Sequence, residues 1–181
     1  MTRTSKLDQL LKSDQKLFHT QDLALLWDIN NRNTLYTAIK RLLKRGVLIA
    51  VKKGLYSVLP LDQIDIVRLG PALIHQFCYL STETVLAKEG IISQKVYPVT
   101  FVASLSRKIK QGGNLFVFRK LKTQYLFCPE GIKQEGGIYV AGKERAVADM
   151  LYFNPKYYFD NPSLVDWDKV SGIQGKVGYK R

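Results

Sequence analysis

The chain has 181 residues, 46% of them apolar, which suits one or two small packed domains and argues against a disordered chain. A net charge of +13 points to an acidic partner, nucleic acid before anionic membrane. Two cysteines, Cys78 and Cys128, cannot staple a chain this long, no run of about 18 apolar residues occurs, and MTRTSKLDQLLKSDQK has no signal-type apolar core, so a soluble cytoplasmic protein without membrane contact is expected.

Three helical patterns come first. Leu7, Leu10 and Leu11 fall at i, i+3, i+4 and can bury one face of a short helix. Thr20 suits the N-cap of a second helix through TQDLALLWD, with Asp22 favourable at its positive end and Leu23, Leu26 and Trp27 inward. Asn30-Asn31-Arg32-Asn33 is a turn, and Asn33 or Asn31 caps the third helix. There Leu35, Ile39, Leu42 and Leu43 form one stripe, and Gly46 ends it by taking a positive φ at little cost. Two apolar runs around Lys52-Lys53-Gly54 then predict a hairpin with a short glycine-containing turn. Helix, helix, helix, hairpin is the order of a winged helix-turn-helix domain, expected over residues 1–60.

The third helix carries Arg32, Asn33, Thr34, Tyr36, Thr37, Lys40, Arg41 and Lys44 off its apolar stripe. Donors and small side chains in its first half suit base edges, and the later cations suit phosphates. Lys52 and Lys53 at the hairpin tip suit the neighbouring backbone or minor groove. From Ile29 through Leu61 there are seven Lys or Arg and no acid, and residues 1–60 hold eleven cations against four acids. A solvated basic surface is the plainer explanation of a charge run, but element order, missing acids and a basic hairpin tip coincide here. Tyr36 suits packing beside the hairpin equally well, and Thr34 suits a helix start.

After Pro60-Leu61-Asp62 the composition shifts, and residues 61–181 read as a mixed α+β domain around a small sheet. A helix is expected through DQIDIVRLG, interrupted near Gly70-Pro71, with ALIHQF after it and His75 in that apolar helix. YLSTETVLAKEGI is a helix capped by Ser81 or Thr82. KVYPVTFVAS, GNLFVFRKLK, TQYLFCP and GGIYVAG read as strands, the second by the alternation of Leu115 and Val117 with Phe116 and Phe118. Gly142 to Leu151 is helical. The remainder from Asn154 is rich in Pro, Gly and Tyr, with no element assigned.

This half has its own basic window, with seven Lys or Arg and no acid from Gly90 through Pro129. Arg107, Lys108, Lys110, Arg119, Lys120 and Lys122 are a candidate second contact, for phosphate, RNA or an acidic protein, or else a solvated loop and strand end. No catalytic, metal or cofactor set emerges. Gly112-Gly113-Asn114 lacks the Lys-Ser/Thr of a P-loop, His19 and His75 have no ligand spacing, and Cys128 has no basic neighbour in sequence. Arg145 and Asp149 at i, i+4 suit a structural ion pair.

Lys53-Gly54-Leu55-Tyr56 after the three helices, then YLSTETVLAKEGI, VTFVAS and VAGKERAVADMLYF, resemble in order and spacing the AbiEi-type antitoxins of bacterial type IV toxin–antitoxin systems, over about residues 5–153. The resemblance implies an N-terminal winged helix and a C-terminal antitoxin domain. It implies repression of the chain's own operon through repeats in double-stranded promoter DNA, and a partner toxin resembling nucleotidyltransferases. The residues carried over are Arg32 through Lys44 with Lys52 and Lys53, no catalytic residue among them, on a monomer or weak dimer. Against that family the segment after Tyr152 is short and irregular. The alternative is a ligand-sensing winged-helix transcription factor without a toxin partner, its second domain taking a small molecule.

Overall fold

The computed structural model describes residues 5–94 and 98–179. The chain is a mixed α+β protein whose described residues form eight helices, a three-stranded sheet and a six-stranded sheet. It divides into two compact units, Met1–Asp65 and Ile66–Arg181.

In the first unit, α1 is Lys6–Lys12, β1 Leu17–His19, α2 Thr20–Leu26, α3 Arg32–Lys44, β2 Ile49–Lys52 and β3 Leu55–Ser57. Ser5 and Asp8 start α1 as a capping box: Asp8 N–H donates to Ser5 Oγ and Ser5 N–H to Asp8 Oδ2, each at 3.1 Å. Asn31 caps α3, its Oδ1 accepting from Thr34 N–H at 3.0 Å. At the other end Gly46 has φ +69°. Its N–H donates to Leu43 O, and Val47 N–H donates to Leu42 O, both at 3.0 Å, which is a Schellman stop.

One element here is unforeseen and one expectation fails, both for local reasons. Leu17–His19 is a strand, too short to show alternation, which pairs antiparallel with β3 and makes the sheet order β1-β3-β2. His19, not Thr20, is the N-cap of α2: Asp22 Oδ2 accepts from His19 N–H at 2.6 Å. Thr20 is used across the fold instead. Its N–H donates to Gly54 O at 3.0 Å, fastening the start of α2 to the turn between β2 and β3. The unit closes around Leu10, Phe18, Leu23, Leu35, Ile39 and Leu48. Each such side chain contributes about 1.5–3 kcal/mol by leaving water.

In the second unit the elements are α4 Ile66–Ile74, β4 Cys78–Leu80, α5 Glu83–Lys88, β5 Val99–Ala103, β6 Arg107–Gln111, β7 Asn114–Lys120, α6 Thr123–Leu126, β8 Ile132–Glu135, β9 Ile138–Ala141, α7 Lys143–Phe153 and α8 Trp167–Val177. The sheet order is β6-β7-β5-β4-β9-β8, with β4–β9 and β5–β7 parallel and the other pairs antiparallel. Phe116 and Phe118 are buried and Leu115 and Val117 half-buried, as alternation requires of β7.

Several expectations are corrected in this unit. The helix is not interrupted at Gly70-Pro71. A proline removes one backbone donor but has a helical φ, and α4 continues through it, with His75 N–H donating to Pro71 O at 3.1 Å. His75 itself lies past the helix, at φ +51°. Thr82 stands at the N-cap of α5 as expected, but neither its side chain nor that of Ser81 makes the capping hydrogen bond. Thr84 N–H donates to Thr100 Oγ1 at 3.0 Å instead, and the Ser81 hydroxyl donates to Asp149 Oδ2 at 2.7 Å. TQYLFCP begins with the one-turn helix α6 rather than forming a strand. The strands β4, β6 and β8 were not expected, and neither was α8 in the segment read as irregular. For KVYPVTFVAS, residues 95–97 lie outside the described residues and the strand runs Val99–Ala103.

Gly70 has a packing role. A Cβ there would lie 2.3 Å from two atoms of the Phe101 ring, which is itself wholly buried. Gly70→Ala is therefore expected to lower stability by about 1–3 kcal/mol in a urea titration, the usual range for overpacking. An unchanged midpoint would mean that α4 does not pack this closely on β5.

Candidate nucleic-acid interface

Helix α3 sorts its residues by side. Leu35, Ala38, Ile39 and Leu42 are buried, whereas Arg32, Asn33, Thr34, Tyr36, Thr37, Lys40, Arg41 and Lys44 are all exposed. The first-half residues that suit base edges and the later cations thus share one solvent-facing surface. No acid lies on it, and among the described residues none of the ion pairs includes a cation of α3. An anion approaching this face meets no internal competitor for those charges. Arg41 and Lys44 also sit at the negative end of the helix dipole, which stabilises them there without any ligand.

The Arg32 guanidinium lies 5.7 Å from the centre of the Tyr36 ring, one turn along. That contact limits the conformations of a long side chain while leaving its N–H groups available. Tyr36 is 43% exposed, so it does not pack away beside the hairpin. Lys53 is exposed at the turn after β2, and Lys52 is half-buried. Gly54, at φ +79°, permits the tight turn that carries them.

Alongside this face runs a groove of about 720 Å³ between α1 and α3. It is bordered by Asn33, Thr34, Thr37 and Arg41, together with Lys6 and Arg45. Neither Lys6 nor Arg45 stood out in the sequence. Arg45 falls in the same basic run as Arg41 and Lys44, but the place of Lys6 depends on how α1 packs.

No protein-family model matches the chain, and no curated protein matches it.

The second basic set is only partly gathered. Arg107, Lys108 and Lys110 are exposed on β6, the outermost strand beside β7, and Lys120 and Lys122 are exposed where β7 ends. Arg119 differs, because it is half-buried, ion-paired with Glu83 on α5, and 5.7 Å from the Phe153 ring centre. Its charge is committed inside the unit.

Arg145 and Asp149 are both wholly buried on α7, with Nε to Oδ1 at 2.9 Å. All five guanidinium N–H groups have acceptors. Nη1 donates to Cys128 O and Glu130 O at 3.2 and 2.8 Å, and Nη2 to Tyr79 Oη and Tyr125 O at 2.9 and 3.3 Å. Asp149 also accepts from the Ser81 and Tyr179 hydroxyls. Burial first, then the Asp149 charge, holds the Tyr79 and Tyr179 phenols well above their usual value, so both stay protonated donors. This cluster joins β4, α6, α7 and the segment after α8, and its groups are consumed by one another. Burial likewise pushes the Cys78 thiol up to about 12, which keeps it protonated and a poor nucleophile. Among the described residues no group of three or more His, Cys, Asp or Glu could hold a metal ion, and no helix is long and apolar enough to cross a membrane.

Proposed function

We propose that the chain is a winged-helix DNA-binding repressor that acts on its own promoter, with α3 as the recognition helix and the β2–β3 turn as the wing. The observation that carries the reading is the acid-free, solvent-facing surface of α3, with Arg32 held at its N-terminal end by Tyr36. The element order α1-β1-α2-α3-β2-β3, with a sheet ordered β1-β3-β2, supports it as well. Major-groove recognition needs a helix whose first turns present donors and whose flanks meet phosphates. On this reading residues 1–60 form the DNA-binding domain and residues 61–181 the antitoxin-like domain, which counters a nucleotidyltransferase-like toxin as in the AbiEi-type systems that the sequence resembles.

The wing is testable by itself. Replacing Lys52 and Lys53 with Ala is expected to flatten the dependence of log affinity on log salt by about one unit per lost phosphate contact. An unchanged slope would take the turn out of the DNA interface. The antitoxin role is tested by co-expressing the chain with a nucleotidyltransferase-like toxin of the AbiEi-type systems, where growth is expected to be restored and continued arrest would remove the role. A ligand-sensing factor is the second reading. Its supporting observation is a groove of about 460 Å³ between α7 and α8, bordered by Tyr152, Trp167 and Tyr179.

A further inference from the structure

We infer that the second unit carries a platform for single-stranded nucleic acid at one rim of its six-stranded sheet, where Phe77, Phe127 and Tyr139 stack bases and Arg107, Lys120 and Lys122 hold phosphates. The inference uses none of the α3 residues and stands or falls apart from the promoter-binding reading.

The strand register brings these residues to the same rim, with Tyr139 on the face of Tyr79 and with Arg107 and Lys120 on the opposite face, so a single strand would cross the rim with bases on one side and phosphates on the other. Strand β4 is antiparallel to β5 and pairs Cys78 with Ala103, so Phe77 precedes β4 where β5 ends. Strand β5 is parallel to β7 and pairs Ala103 with Lys120, which puts the end of β7 there too. Strand β9 is parallel to β4 and pairs Tyr139 with Tyr79, so β9 begins at this rim, and β6 begins there with Arg107 opposite Phe118. Lys122 is the N-cap of α6 and Phe127 its C-cap. Adjacent strands lie about 4.8 Å apart, so the ends of β7, β5, β4 and β9 span about three such steps, a reach of a few nucleotides.

The three rings form one cluster. The Phe77 ring is 5.1 Å from that of Phe127 and 5.1 Å from that of Tyr139, centre to centre. Phe127 is 58% exposed and Tyr139 42%, although both are large enough to gain by being covered. An exposed aromatic cluster alone would equally suit an apolar protein partner, and charge decides between them. Arg107, Lys120 and Lys122 are exposed, and among the described residues no ion pair includes them. No acid occurs from Gly90 through Pro129, and the carboxylate nearest in register, Glu135, lies one strand beyond β9, opposite Ile138. Rings flanked by cations bind single strands because every base has a face to stack and every nucleotide a phosphate to neutralise. A duplex hides its base faces and cannot use the rings.

The test uses the full chain with fluorescein-labelled oligo(dT) and oligo(U) of about ten nucleotides, and a random duplex, read by anisotropy at low salt. Phe127→Ala with Tyr139→Ala is expected to lose roughly tenfold or more on the single strands and nothing on the duplex. Lys40→Ala with Arg41→Ala should do the reverse. Whichever oligonucleotide binds more tightly names the sugar. Phe127→Trp keeps a ring and reports contact directly, because the emission of the new indole is expected to quench when a base stacks on it. Wild-type protein that fails to bind either oligonucleotide, a double Ala variant that binds them as wild type does, or an indole at position 127 that stays unquenched would overturn the inference. Loss of a protein partner in the double Ala variant with single-strand binding intact would overturn it too.

Discussion

Arg145→Ala is expected to destabilise the second unit by about 3–5 kcal/mol, because it leaves the Asp149 carboxylate buried without its cation. That is a large share of the 5–15 kcal/mol typical of a folded domain. The loss exceeds that of an ordinary i, i+4 pair, which contributes only about 0.3–0.5 kcal/mol on an exposed helix. The difference is burial and saturation. Both side chains are 0% exposed, and the five N–H groups of Arg145 meet Asp149, Tyr79 and three backbone carbonyls, at Cys128, Glu130 and Tyr125. Removing the guanidinium strands all of them from water together. Arg145→Lys should recover little, since an ammonium has three donors and no planar fork. Urea unfolding followed by far-UV circular dichroism measures this. A loss under about 1 kcal/mol would show that the cluster opens to water and is not the joint between β4, α6, α7 and the segment after α8.

Arg32→Ala is expected to weaken binding to the promoter duplex by about 1–3 kcal/mol and to leave binding to random duplex nearly unchanged. The expectation follows from position. Arg32 is the first residue of α3, it is exposed, and its contact with Tyr36 fixes the guanidinium without consuming its donors. A base-reading arginine is commonly bidentate to guanine, so substituting one G·C pair should abolish the difference between wild type and variant. Equal loss on promoter and random duplex would mean that Arg32 touches only phosphate. Lys40→Ala and Lys44→Ala should give that pattern, each weakening all duplexes alike and lowering the salt slope by about one unit.

How much of this was legible in the sequence depended on the length of each element and the range of its contacts. Helix α3 shows nearly four turns of apolar spacing, capped by Asn31 and stopped by Gly46, and its exposed face followed directly from that stripe. Strand β7 was legible for the same reason, and the hairpin was legible from the Lys52-Lys53-Gly54 turn between two apolar runs, although β3 has only three residues. Strand β1 has three residues, and so does β4, too few for alternation to register. Phe127 and its apolar neighbours imitate a strand, yet α6 turns there because Tyr125 N–H and Leu126 N–H both reach Lys122 O. Helix α8 contains Gly172 and Gly175, poor helix formers, and depends on the Asp166 cap and on packing against α7. The Arg145–Asp149 spacing was visible, but its other partners lie far away in sequence. The ring cluster joins positions 77, 127 and 139, which only the sheet order brings together.

The most direct measurement is binding of the purified chain to the DNA upstream of its own gene and to random duplex of equal length, across a salt series. Tight, sequence-selective binding to the upstream DNA is expected to persist as salt rises, with a shared electrostatic slope on both duplexes. Weak binding, equal on both and lost together with added salt, would contradict it and reduce the basic face of α3 to a general attraction for polyanions.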